Sequence, residues 1–110
     1  MPKQSLRSRS KALDVLAHPL RLKILERLRF GPRCVCKIIP YVGARQSNVS
    51  HQLALLKKAG VVRCESRGPQ VWYEVRDPRI FLIIDLLQSC VSGRLTRGQH
   101  VVPARPKKGT

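Results

Sequence analysis

Apolar residues recur at intervals of three and four over the first sixty positions, and the breaks between these runs fall on proline and glycine. Leu13, Leu16 and Ala17 predict a short first helix from about Ser10 to Ala17. His18-Pro19 opens a second, because proline suits the first helical turn, and Leu20, Ile24, Leu25 and Leu28 carry it to about Arg29 before Gly31-Pro32. The apolar segment 34–42 contains Pro40 and predicts a short third helix, followed by the connection Gly43-Ala44-Arg45. From Gln46 to Ala59 polar side chains cluster early, while Val49, Leu53 and Leu56 form one stripe that stops at Gly60. This is a fourth helix with a polar opening face.

The pattern then changes period. Val61 to Ser66 and Val71 to Arg76 are β-favouring runs joined by Arg67-Gly68-Pro69-Gln70, which predicts a hairpin. Asp77-Pro78 supplies a cap and a first-turn proline for a fifth helix reaching about Ser92, with Gly93 beyond it. Ile80, Phe81, Leu82, Ile83, Ile84, Leu86, Leu87 and Val91 cannot share one face of that helix, so it has two surfaces to bury. A domain this small has one core, and a second copy of the chain is the simplest cover for the other surface. The expected fold is mainly α with a β-hairpin wing, a winged helix-turn-helix that forms a homodimer.

Composition narrows the function. The chain has 110 residues, 43% hydrophobic and 25% charged, which fits one globular domain. Its 22 Lys and Arg against six Asp and Glu give a formal charge of +16, which points to a polyanionic partner. The division expected is a basic N-terminal tail over 1–9, a DNA-binding and dimerisation domain over 10–92, and a basic disordered tail over 93–110. No membrane span is expected, since the best apolar run, Ile80 to Leu87, is interrupted by Asp85. The basic start lacks a secretory pattern, so a cytoplasmic location and reduced thiols are expected. Paired catalytic acids, a Ser-His-Asp set and a phosphate-cradling glycine loop are all missing from the sequence, which argues against an enzyme.

The fourth helix and the hairpin divide the work of binding duplex DNA. Gln46, Ser47, Asn48, Ser50, His51 and Gln52 are the candidates for the major groove, where Asn and Gln pair with adenine and hydroxyls reach bases or phosphates. Arg45, Lys57, Lys58 and the hairpin residue Arg67 are the candidates for phosphates. The stretches LAHPLRLKILERL (16–28), CVC (34–36), QSNVSHQLALLKKAGVV (46–62) and VWYEVRDPR (71–79) resemble the ArsR/SmtB family of winged-helix repressors. The resemblance spans about residues 10–92. It implies a homodimer that releases double-stranded operator DNA when an inducer binds. Arg45 stands where the family often has a Ser or Thr cap, which implies a later helix start with Ser47 as cap.

Cys34-Val35-Cys36 is the second informative feature. Thiols one residue apart diverge on a regular helix but share a side in an extended segment. Pro40 would clash with the Cys36 carbonyl inside a helix, so the helix is expected to start near or after Cys36, letting both sulfurs converge on one soft ion. The helix N-terminus with Arg33 and Lys37 favours thiolates. In the family, a CVC element here resembles that of arsenic-responsive repressors, which implies trivalent arsenic or antimony as inducer and no organic cofactor. Those proteins often complete a trigonal set with a third thiol, but the matching position is Ile39, so the third ligand falls to Cys90 or, behind it, Cys64. The fifth helix lacks the histidines of the family's zinc site. Two other readings stay open: a redox sensor in which Cys34 or Cys36 joins Cys90 in a disulfide or persulfide bridge, and an architectural protein that coats DNA by charge alone.

Overall fold

The computed structural model describes residues 5–92, so residues 1–4 and the proposed tail 93–110 lie outside the described part. It falls into two compact units, one ending at Pro78 and the other beginning at Arg79, and each is described by itself. The first unit runs α1 (Leu6–Leu16), α2 (Pro19–Arg27), β1 (Arg33–Cys34), α3 (Val35–Val42), α4 (Gln46–Lys58), β2 (Val62–Arg67) and β3 (Gln70–Val75). The second contains α5 (Arg79–Ser92).

Helix α1 starts four residues earlier than the apolar spacing predicts. Ser5 takes an extended backbone and its hydroxyl accepts the Ser8 N–H at 3.0 Å, a cap that allows a helix to begin in polar sequence. Helix α2 begins as expected: His18 caps it, Nδ1 accepting the Leu20 N–H at 3.2 Å, and Pro19 follows at the first helical position. Gly43, with φ of 68°, closes α3 in the left-handed region that an L side chain avoids. Pro40 sits inside α3, within the short helix that the segment 34–42 predicts. It leaves the Cys36 carbonyl without its i+4 donor, but this short helix is held by its cap and by the burial of Ile38 and Val42.

The core of the first unit joins α2, α3, α4 and the start of the hairpin. Ile24, Leu25, Ile38, Val49, Leu53, Leu56 and Val62 are fully buried. The stripe on α4 is therefore the face that the sequence pattern assigns to the interior. Leu53→Ala should cost about 2–5 kcal/mol through lost burial and the cavity left behind, read as a lower urea midpoint.

The expected hairpin forms, with a tighter turn than the four-residue connection predicted: it pairs from Val62 opposite Val75 to Arg67 opposite Gln70, with Gly68 at φ 62° in a two-residue turn. A third strand was not expected from the sequence. Arg33 pairs with Tyr73 and Cys34 with Trp72, so the sheet order is β1-β3-β2. Two residues give no periodicity to detect. On α5, Leu82, Ile83, Leu86, Leu87 and Val91 are all exposed, which leaves apolar surface in water. Among the described residues no helix is long and apolar enough to cross a membrane.

Candidate nucleic-acid interface and its thiol pair

Helix α4 starts at Gln46, with Arg45 as its N-cap and no side-chain cap hydrogen bond. The later start with Ser47 as cap is therefore not what forms: Arg45 takes the extended backbone of a cap without supplying an acceptor. Ser47 is left as the second residue of the helix, and Gln46, Ser47, Asn48, Ser50 and His51 are exposed. Helical spacing puts Ser47, His51, Ala54 and Lys58 along one side and Val49, Leu53 and Leu56 along the other. The exposed side is polar at its start and basic at its end, the order that suits base edges first and phosphates after.

Gln52 leaves this set. It is 7% exposed on the buried side of α4, and its Oε1 accepts from Arg21 Nε at 2.8 Å. Arg21 also donates through Nη1 to the carbonyl of Val15 at 3.1 Å, tying the end of α1 to α2 and α4. Residue type alone placed Gln52 with the reading residues; its position next to Leu53 and one turn after Val49 turns it inward. Gln52→Ala should therefore lower stability by about 1–3 kcal/mol in chemical denaturation, by removing a buried partner, while the bases preferred in a binding site stay the same.

The wing offers two arginines. Arg63 pairs with Glu74 at 3.1 Å and Arg67 with Glu65 at 3.3 Å, both on exposed surface. Exposed pairs of this kind are worth about 0–1 kcal/mol, little enough for a phosphate to displace the carboxylate. The Arg67 guanidinium also lies 4.2 Å from the centroid of the Trp72 ring, which fixes its direction. Arg45, Lys57 and Lys58 are exposed as well.

Cys34 and Cys36 come together where β1 turns into α3. Cys34 is buried, extended and the N-cap of α3, so its Sγ lies over the helix start and accepts the Cys36 N–H at 3.1 Å. That geometry turns both side chains to one side, with Cα atoms 5.0 Å apart, and the two sulfurs form a disulfide. The helix begins at Val35, near Cys36 as expected, because a capping sulfur satisfies its first turn. One expectation changes: the pair is joined instead of being two free thiols.

Cys64 is half-buried in β2 and Cys90 is exposed on α5, neither in a disulfide. Among the described residues no three His, Cys, Asp or Glu side chains gather at one place, so the pair has no third ligand beside it. Two thiolates, once reduced, fit two positions of a thiophilic ion. Beside the pair lies an open cleft of about 360 Å³, bordered by Gln46 and Ser50 of α4 and by Gln70 and Tyr73 of the wing. Burial, with the charge and hydrogen bond of Cys64, pushes the Tyr73 phenol above its ordinary 10.0. Sequence reasoning missed Arg21, Gln70 and Trp72. Only the position of Gln70 at the turn, two residues before the single tryptophan, could have marked the last two.

Residues 18–63 match the model of the bacterial regulatory protein family arsR. An HTH-type transcriptional regulator of Methanocaldococcus jannaschii is 43% identical over 70 residues, covering 63% of this chain and 79% of that protein. The chain spans 61% and 62% of the length of two relatives from Mycobacterium tuberculosis. Among solved structures, the homodimeric winged helix-turn-helix DNA-binding domain of a possible ArsR-family regulator from Mycobacterium bovis is similar at a TM-score of 0.69 and 26% identity, covering 93% of this chain and 100% of that one. The antimony-specific transcriptional repressor AntR is similar at a TM-score of 0.67 and 25% identity, covering 84% of this chain and 87% of that one. Relatives and fold alike are those of transcriptional regulators and not of enzymes. The chain thus belongs to the arsR family of winged helix-turn-helix transcriptional regulators.

Proposed function

We propose that this protein is a cytoplasmic homodimeric repressor that leaves its operator when the reduced Cys34–Cys36 pair takes up trivalent arsenic or antimony. The observation that carries the reading is the placement of both sulfurs on one side of the α3 start, beside a cleft bordered by the recognition helix and the wing. Soft thiolates select soft ions, and two of them on a rigid turn hold such an ion without drawing on distant residues. The third position is then left to solvent. The similarity to an antimony-specific repressor supports this choice of inducer.

In this reading Arg45, Gln46, Ser47, Asn48, Ser50, His51, Lys57 and Arg67 meet the duplex, and the apolar surface of α5 meets a second copy. The similarity to a homodimeric domain supports the second point. Release follows from linkage: an inducer that prefers the state with poor DNA affinity lowers operator affinity by about 5 to 150-fold for a coupling of about 1–3 kcal/mol.

A second reading is favoured by the disulfide itself. The pair can sense oxidants by closing on itself, so the expected bond to Cys90 is not required for a redox switch. Footprinting on the DNA upstream of the protein's own gene tests both. One protected pseudo-palindrome that arsenite erases, with peroxide inert, is the expected result. Erasure by peroxide alone transfers the function to redox sensing, and protection without sequence preference would reject a specific repressor altogether.

A further inference from the structure

The thiol pair is built into the edge of the wing sheet as well as into α3. Cys34 lies opposite Trp72 in the β1–β3 ladder. Gln70 Nε2 approaches Cys36 Sγ at 4.0 Å, the long limit of a hydrogen bond to sulfur. The same amide accepts through Oε1 from Trp72 Nε1 at 3.1 Å, and the Trp72 ring holds the Arg67 guanidinium. A side-chain amide is polar at both ends, so turning one end toward a changed sulfur moves the other end from the indole.

Resting on the reading that this pair is the sensor, we propose that Gln70 is the positioning residue that carries the state of Cys34 and Cys36 to Trp72 and so to Arg67, making the wing an output of the switch. A sulfur that is a thiol, a disulfide atom or an ion-bound thiolate presents different charge to Gln70 Nε2. Bound thiolate is the strongest acceptor of the three and the disulfide the weakest. The wing arginine is then aimed by sensor chemistry, in addition to any movement of α3 against α4. The coupling needs no residue of α5.

Trp72 is the single tryptophan of the chain, so its fluorescence reads this contact without DNA. The full-length protein would be reduced with a dithiol and then oxidised with peroxide. As the S–S bond forms, two thiols give up two protons and two electrons and peroxide leaves as two waters. Trp72 emission should change in step with the loss of two titratable thiols, and reversibly. Cys34→Ser with Cys36→Ser should abolish the change.

Gln70→Glu keeps an acceptor for the indole but loses the donor to Cys36, and Gln70→Leu loses both. Each should lose the emission change while the pair still loses two thiols. Full retention of the change in both variants, or a silent Trp72 in the wild type while the pair oxidises, would overturn the proposal. Arsenite provides the separate arm. If peroxide moves Trp72 through Gln70 and arsenite does not, the coupling stands and the metalloid reading falls.

Discussion

Serine at both Cys34 and Cys36 is expected to abolish release of operator DNA by arsenite, bringing the ratio of dissociation constants with and without arsenite from the roughly 5 to 150 of the wild type down to 1. Serine is the informative replacement. Cys34 caps α3 through its sulfur, and a serine hydroxyl is a strong N-cap acceptor, so the helix start keeps its geometry while both soft ligands disappear. Alanine at Cys34 would add the loss of a cap, about 0.5–2 kcal/mol, to the loss of a ligand. Anisotropy of labelled operator DNA, followed across an arsenite titration, gives the ratio directly. A double-serine protein that still releases DNA would place the sensor elsewhere in the chain.

The second large effect concerns α5. Leu82 and Leu86 lie one turn apart and are 60% and 39% exposed. Lysine at both would set two charges in an apolar surface that the account assigns to a second copy. The expected outcome is a monomer in sedimentation analysis and loss of operator preference, since a monomer cannot span two half-sites about 34–36 Å apart. Specific binding exceeds non-specific binding by about 10³ or more, and a monomer should give up most of that margin. A variant that stays dimeric and keeps its operator would assign this apolar surface to something other than self-association.

The legible parts of the fold were those with a sustained period. Val49, Leu53 and Leu56 on α4, Ile24 and Leu25 on α2, and the alternating hairpin all follow from spacing, because burial imposes a repeat on the sequence. Short features carry no repeat. β1 is two residues long, and α1 starts on the strength of one serine hydroxyl. Pro40 marks a break in a typical long helix, yet an eight-residue helix with a sulfur cap accommodates it.

The candidate interface was legible by residue type and less so by direction. Ser47, Ser50 and His51 lie outward as the amphipathic pattern requires, whereas Gln52 was grouped with them by chemistry and is turned to Arg21 by its place on the helix. The convergence of Cys34 and Cys36 is legible from a segment that is extended or in the first turn of a helix, and what forms combines the two, an extended cap followed by a helical turn. The tie from Cys36 through Gln70 to Trp72 depends on a contact between residues 34 positions apart, which no local pattern encodes.

The most direct test of the central claim is the operator dissociation constant of the fully reduced dimer, measured at constant salt as arsenite is added. The account predicts a rise of about 5 to 150-fold that saturates when each Cys34–Cys36 pair holds one arsenic. A constant that does not move while arsenic occupies the pair would contradict it.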